Sequence, residues 1–245
     1  MKKLLSCLFI IFCVISAFFS VSLPSFSNTM RFAQLSDIHY SIGRKDTSFK
    51  LLSHSKELLE DAVNQINEEK KIKFVIVTGD GIDMPDKRAL DGLIDGLNEL
   101  KFPWYITLGN HDTVNSSEID KKTFFKTIKE KNKNFPYENS YYTFKPQKGF
   151  RAVIMDGASD EKRVPESFFP KEQLQWLDNI LSKSKNDIVL IFQHFPIITP
   201  YSSKSHEIKN ADEYYDILKK YKMPIAVFSG HYHAAKISKD GNILN

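Results

Sequence analysis

Five times along this chain a short apolar run is followed at once by aspartate, histidine or asparagine, and that repetition constrains the fold more than any other feature. The runs over 31–35, 74–78 and 104–108 are rich in β-formers. Between them, Leu52, Leu59, Val63 and Ile66 recur at helical spacing, as do Leu90, Leu93, Ile94, Leu97 and Leu100. The order reads β-α-β-α-β, which predicts parallel strands joined by crossover helices. In such sheets ligands sit beyond the carboxyl ends of the strands, so the polar clusters fall where a site belongs.

The second half is less regular. Runs over 141–144 and 150–155 read as a strand pair, 172–181 as an amphipathic helix and 188–192 as a buried strand. A polar stretch over 202–210 precedes a helix near 214–221, a strand over 225–228 and a hairpin turning at Asp240 and Gly241. There is no repeat and no low-complexity linker. The chain stops at Asn245, just after what reads as the start of a further strand, so missing C-terminal strands are one reading.

Residues 1–27 form a separate unit: Lys2 and Lys3, an apolar run over 4–21, then Pro24, Ser25 and Ser27 at signal-peptidase spacing. Two readings stay open. A cleaved signal peptide places the protein in the periplasm or outside the cell; an uncleaved anchor, nearly long enough to span a bilayer, leaves it on a membrane facing outward. Both cysteines, Cys7 and Cys13, lie in this unit, so the rest of the chain can form neither a disulfide nor a thiolate metal site. With 34 Lys and Arg against 30 Asp and Glu, a net +4, nothing predicts stable nucleic-acid binding through a broad basic face. A compact anionic substrate remains compatible with that balance.

The clusters are Asp37-Ile38-His39, Gly79-Asp80, Gly109-Asn110-His111-Asp112, His194 and Gly230-His231-Tyr232-His233. They hold five of the seven histidines, leaving only His54 and His206 elsewhere. Imidazole and carboxylate suit hard and borderline divalent ions, and the lack of thiolate argues against a closed structural zinc site. Taken singly, Asp37 or Asp80 reads equally well as a cap. In this order, D-x-H, G-D, G-N-H-D, H and G-H-x-H resemble the calcineurin-like metallophosphoesterases. The likeness runs from Met30 to Asn245 and takes in the helix start at 173–177 and the strand leading to Asp156. His39 sets the chain apart from the purple acid phosphatases.

The resemblance implies an α/β fold, a two-sheet β-sandwich flanked by helices, occupying residues 28–245. It also implies two divalent ions, manganese, iron or zinc: one held by Asp37, His39 and His233, the other by Asn110, His194 and His231, with Asp80 bridging. The implied activity is hydrolysis of a small phosphomonoester or phosphodiester by a metal-bridging hydroxide, with His111 as general acid oriented by Asp112. A non-catalytic metal-binding scaffold of the same fold is the alternative. Asp83 reads as a loop-shaping residue, and Lys162, Arg163, Lys204 and His206 as loop residues that could overhang the site.

Overall fold

The protein is described by a computed structural model over residues 29–203 and 205–245. The proposed export segment and Lys204 lie outside the described residues. Among the latter, no helix is long and apolar enough to cross a membrane.

Three strands open the chain: β1 (Arg31–Leu35), β2 (Ile72–Thr78) and β3 (Trp104–Thr107). They pair in parallel in that order, with Ala33 opposite Val75 and Val77 opposite Ile106. The connections are α1 (Ser55–Glu68), preceded by a 3-10 turn over Leu52–His54, and α2 (Lys87–Asn98). Helix α1 buries Leu59, Ala62, Val63 and Ile66, and α2 buries Leu90, Leu93, Ile94 and Leu97. That spacing makes the apolar stripe face the sheet. Asp86 caps α2 by accepting from the Ala89 amide at 2.9 Å. A third helix, α3 (Lys121–Lys131), capped by Asp120, was not legible in the sequence. Its apolar residues are only Phe124, Phe125 and Ile128 among lysines and threonines.

The second sheet comprises β4 (Tyr142–Phe144), β5 (Phe150–Ile154), β6 (Ile188–Phe192), β7 (Ile225–Phe228) and the short hairpin of β8 (Lys239–Asp240) and β9 (Ile243–Leu244). Its order is β4-β5-β6-β7-β9-β8. Helices α4 (Lys171–Ser182) and α5 (Ala211–Lys219) pack against each other. Phenylalanines join the two sheets: Phe32 meets Phe192 and Phe228 edge-on with centroids 5.3 and 5.1 Å away, and Phe74 meets Phe192 and Phe144 at 5.8 and 5.4 Å. The expected helix-flanked two-sheet α/β sandwich is what forms.

Because both sheets meet along this seam, the carboxyl ends of β1, β2, β3, β6 and β7 come together at one rim. Backbone pairing continues past β1 and β2 into the loops, where the Asp37, His39 and Tyr40 amides donate to the carbonyls of Gly79, Asp80 and Gly81 at 2.9–3.1 Å. The two clusters that follow these strands are thereby locked in register.

Candidate metal centre

Every cluster residue named as a ligand reaches this rim. Three groups of donor atoms converge, each with its atoms within 4.8 Å of one another: Asp37, His39 and His233; Asp80, His194 and His231; and His39, Asp80 and His111. Asp80 belongs to two of them. Its Oδ2 lies 3.7 Å from His39 Nε2 and 3.4 Å from His194 Nε2. Within the first group, His233 Nε2 is 3.2 Å from Asp37 Oδ1 and 3.3 Å from His39 Nε2.

The donor set fits metal on a second, independent count. Asn110 Oδ1, His194 Nε2 and His231 Nε2 are all buried without a hydrogen-bond partner. Burying an unpaired polar atom costs about 1–3 kcal/mol, and a bound cation would supply each of these donors with a partner. The opposite ring nitrogen of His194 is already committed, Nδ1 donating to the Thr78 carbonyl at 2.8 Å. This orients the ring with Nε2 toward Asp80, and a metal taking that nitrogen displaces the proton on it. Burial pushes His39 and His231 down to about 3, which keeps both imidazoles neutral and able to bind metal. For Asp80, burial acts upward, but His194, His111 and His39 outweigh it and hold the carboxyl well below its ordinary range. His194 responds in kind: burial opposes the charge, yet Asp80 raises the imidazole to about 9.

The backbone is bent to deliver these groups. Among the described residues six non-glycines have positive φ, and five of them are Asp37, His39, Asp80, His231 and His233, at 47–75°. Aspartate and histidine enter this region more readily than most residues, but each still carries strain, which persists where surrounding structure enforces it. Of the three glycines in the motifs, only Gly79 uses a positive φ, at 83°. Gly109 and Gly230 instead clear space: a Cβ on the former would stand 2.2 Å from Asp80 Oδ1 and 2.4 Å from the Asp80 amide nitrogen. On Gly230 it would meet Ser36 Oγ at 2.0 Å. These two glycines therefore serve close approach rather than an unusual backbone conformation.

His111 stands beside the ligands, its Nε2 3.9 Å from Asp80 Oδ2, and its own amide donates to Asp80 Oδ1 at 2.9 Å. Asp112 does not orient it. That carboxylate is fully buried and accepts from the Gly109 amide at 2.7 Å and the Ile82 amide at 3.0 Å, so it braces two loop backbones instead. Burial and the nearby Asp80 push its pKa up to about 7. The ring of His111 is held by the Asp83 carbonyl, 2.8 Å from Nδ1. Asp83 thus does more than shape a loop: its buried carboxylate also lies 3.5 Å from His39 Nδ1 and pairs with Arg44 at 2.9 Å and Lys50 at 3.3 Å. Sequence reading had named neither Arg44 nor Lys50, and the only signal was their place in the polar loop after Asp37-Ile38-His39. Of the loop residues expected to overhang, Arg163 reaches His111 Nε2 at 2.7 Å, and the ring of His206 lies 5.1 Å from that of His231. His54 is exposed and paired with Glu57.

Residues 30–235 match the family model described as calcineurin-like phosphoesterase. The chain belongs to this family. It is a hydrolase of phosphoric ester bonds that uses divalent metal. It is similar to a manganese-dependent ADP-ribose/CDP-alcohol diphosphatase of Arabidopsis thaliana, 25% identical with 82% of this chain and 79% of that protein aligned. It is also 28% identical to a probable cyclic nucleotide phosphodiesterase of Rhodopseudomonas palustris, over 83% of this chain and 72% of the relative. In fold it matches a dimetal phosphatase from Danio rerio with a TM-score of 0.72 at 20% identity, covering 87% and 85% of the two chains.

Proposed function

We propose that this calcineurin-like phosphoesterase hydrolyses small phosphate esters with two divalent ions, Asp37, His39 and His233 holding one, Asn110, His194 and His231 the other, and Asp80 both. The observation that carries this reading is the pair of buried donors without a hydrogen bond, His194 Nε2 and His231 Nε2, grouped with the Asp80 carboxylate, together with the buried Asn110 Oδ1 that likewise lacks one. When bound, a pair of divalent ions activates water and polarises the phosphoryl oxygens. The protein's own part is placement. Asp80 supplies a negative charge to both positions, and the neutral amide of Asn110 keeps the total ligand charge low. His194 is fixed through Thr78, and Asp37 by the His231 amide, which donates to its carboxylate oxygens at 3.0 and 3.2 Å.

His111 is the group we assign to the leaving side. The Asp83 carbonyl can only accept, so Nδ1 carries a proton, and the Arg163 guanidinium can only donate, so Nε2 faces the cleft as the exchangeable position. When a substrate phosphoryl group draws Arg163 away, Nε2 takes up a proton from solvent and passes it to the departing oxygen. The test is elemental analysis of manganese-loaded protein together with hydrolysis of an aryl phosphodiester and an aryl phosphomonoester. We expect two ions per chain, and Asp80→Asn to lose both ions and the activity. One ion or fewer in folded wild-type protein would remove the two-metal reading.

A further inference from the structure

Helix α3 opens with Lys121, whose side chain serves the loop after β5. Its ammonium pairs with Asp156 at 2.7 Å and Asp160 at 2.9 Å and donates to the Ala158 carbonyl at 2.8 Å. An ammonium has three protons, so all its donors are committed to the stretch 156–160. One end of that stretch is fixed independently. Asp156 is buried, its amide donates to Gln173 Oε1 at 2.8 Å, and its carbonyl accepts from Gln173 Nε2 at 2.7 Å, which ties it to α4. The other end has less support: Asp160, with 53% of its side chain exposed, has Lys121 and the Asn115 amide, which donates to its carbonyl at 2.9 Å. Burial works against the charge of Lys121, yet Asp156 and Asp160 outweigh it and hold its pKa above the ordinary lysine value. Arg163 stands just beyond, and three residues of chain span at most about 11 Å. Its guanidinium lies 2.7 Å from His111 Nε2 and 2.8 Å from the Met84 sulfur; an imidazole and a thioether are weaker partners than a carboxylate. The Asp80 and Asp83 carboxylates lie 3.9 and 3.6 Å from the same imidazole and offset the charges of Lys50 and Arg163. What the loop contributes is therefore a donor in position, not a net charge.

We infer that Lys121 is a positioning residue for ester hydrolysis, acting through Asp160 to keep Arg163 where it can donate to a phosphoryl oxygen of the substrate. This rests on the phosphoesterase reading above and adds a residue that lies outside all five motifs and pairs with no candidate ligand. Loss of the tie leaves Arg163 its donors but not its place. The loop then samples positions in which Arg163 faces solvent, and apparent affinity falls in proportion to the time spent there. The contact is made to bound substrate as well as to the transition state, so KM carries the loss and kcat stays near wild type.

The experiment uses the full chain loaded with manganese. Lys121→Met strands the buried Asp156 carboxylate and endangers folding. Asp160→Ala, at an exposed position that leaves the Lys121–Asp156 pair intact, is therefore the deciding variant. On bis(p-nitrophenyl) phosphate it should raise KM about 3- to 10-fold with kcat within about twofold of wild type. Calorimetry with inorganic phosphate should show a matching loss of affinity, and elemental analysis an unchanged metal content. Through space alone, removing a carboxylate strengthens anion binding, so a rise in KM is opposite in sign to the plain charge effect. Arg163→Ala should itself bind phosphate about 10-fold or more weakly, the worth of one charge-assisted hydrogen bond, and in that background Asp160→Ala should change neither KM nor phosphate affinity. Wild-type KM and phosphate affinity in Asp160→Ala, an equal loss with and without Arg163, or wild-type phosphate affinity in Arg163→Ala overturns the positioning role alone. A wild type that neither binds phosphate nor hydrolyses the diester overturns the phosphoesterase reading and the positioning role with it.

Discussion

His111 and Asp112 are neighbours in sequence with different tasks, and substitution should separate them. His111→Ala removes the donor on the leaving side while the metal ligands stay. On an ester with an alkoxide leaving group the rate should fall about 10²- to 10⁴-fold, the usual worth of positioned proton transfer. A nitrophenyl ester, whose leaving group departs without a proton, should be far less affected, and steady-state rates on the two esters at equal metal content check this. Equal losses would leave the general-acid role without support. Asp112→Asn should behave otherwise. The amide can accept with only one oxygen, and its NH₂ is forced toward an amide donor of Gly109 or Ile82. We expect a loss of about 1–3 kcal/mol, read as a Tm lower by roughly 2–12 °C, with no selectivity between leaving groups. Leaving-group selectivity matching that of His111→Ala would restore an orienting role to Asp112.

At the scale of elements, β1, β2, β3, β6 and β7 each end in a turn that carries candidate ligands. Gly109 follows β3 so closely packed against the loop after β2 that a methyl group there collides with the Asp80 carboxylate and amide. The amide is backbone, and Oδ1 is held in place by the His111 amide at 2.9 Å. Gly109→Ala should therefore displace the bridging group and cut metal content to one ion per chain or fewer, while circular dichroism stays that of a folded protein. Retention of two ions would mean the loop yields more easily than its packing implies. The helices were read from the sequence only where their apolar stripe was dense. Helix α2, with Leu90, Leu93, Ile94 and Leu97 all buried, was plain, whereas α3 carries its buried face on Phe124, Phe125 and Ile128 alone. Leu52, which shares the helical spacing of α1, instead lies in the 3-10 turn before it.

For the whole molecule, the site is a product of two sheets meeting along the Phe32, Phe74, Phe192 and Phe228 seam. Asp37, Asp80 and Asn110 come from the first sheet and His194, His231 and His233 from the second, so metal should tie the halves together. Ions that bind only the folded state raise its stability by about 2.7 kcal/mol at a hundredfold excess over Kd. For a chain of this size that lifts Tm by at least roughly 5 °C. Scanning calorimetry with manganese and then with a chelator measures the shift, which should largely vanish in Asp80→Asn. An unchanged Tm on saturating manganese would separate the centre from the stability of the fold.

The residue chemistry of the proposed centre, its seven candidate donors and the strands that precede them, was legible in the sequence itself, because each motif is local: an apolar run, a turn and a polar side chain within a few residues. The likeness to a known family followed from the order of those motifs. What tertiary structure decided is everything that depends on approach from a distance in the chain. Lys50, Asp83 and Arg163 are ordinary loop residues by pattern, and only folding brings their charges onto His39 and His111. The same holds for Asp112, whose neighbour in sequence is not its partner in space. Positive φ at five of the ligands was likewise invisible, since backbone strain at a site is imposed by the packing around it rather than by the preference of the residue that bears it.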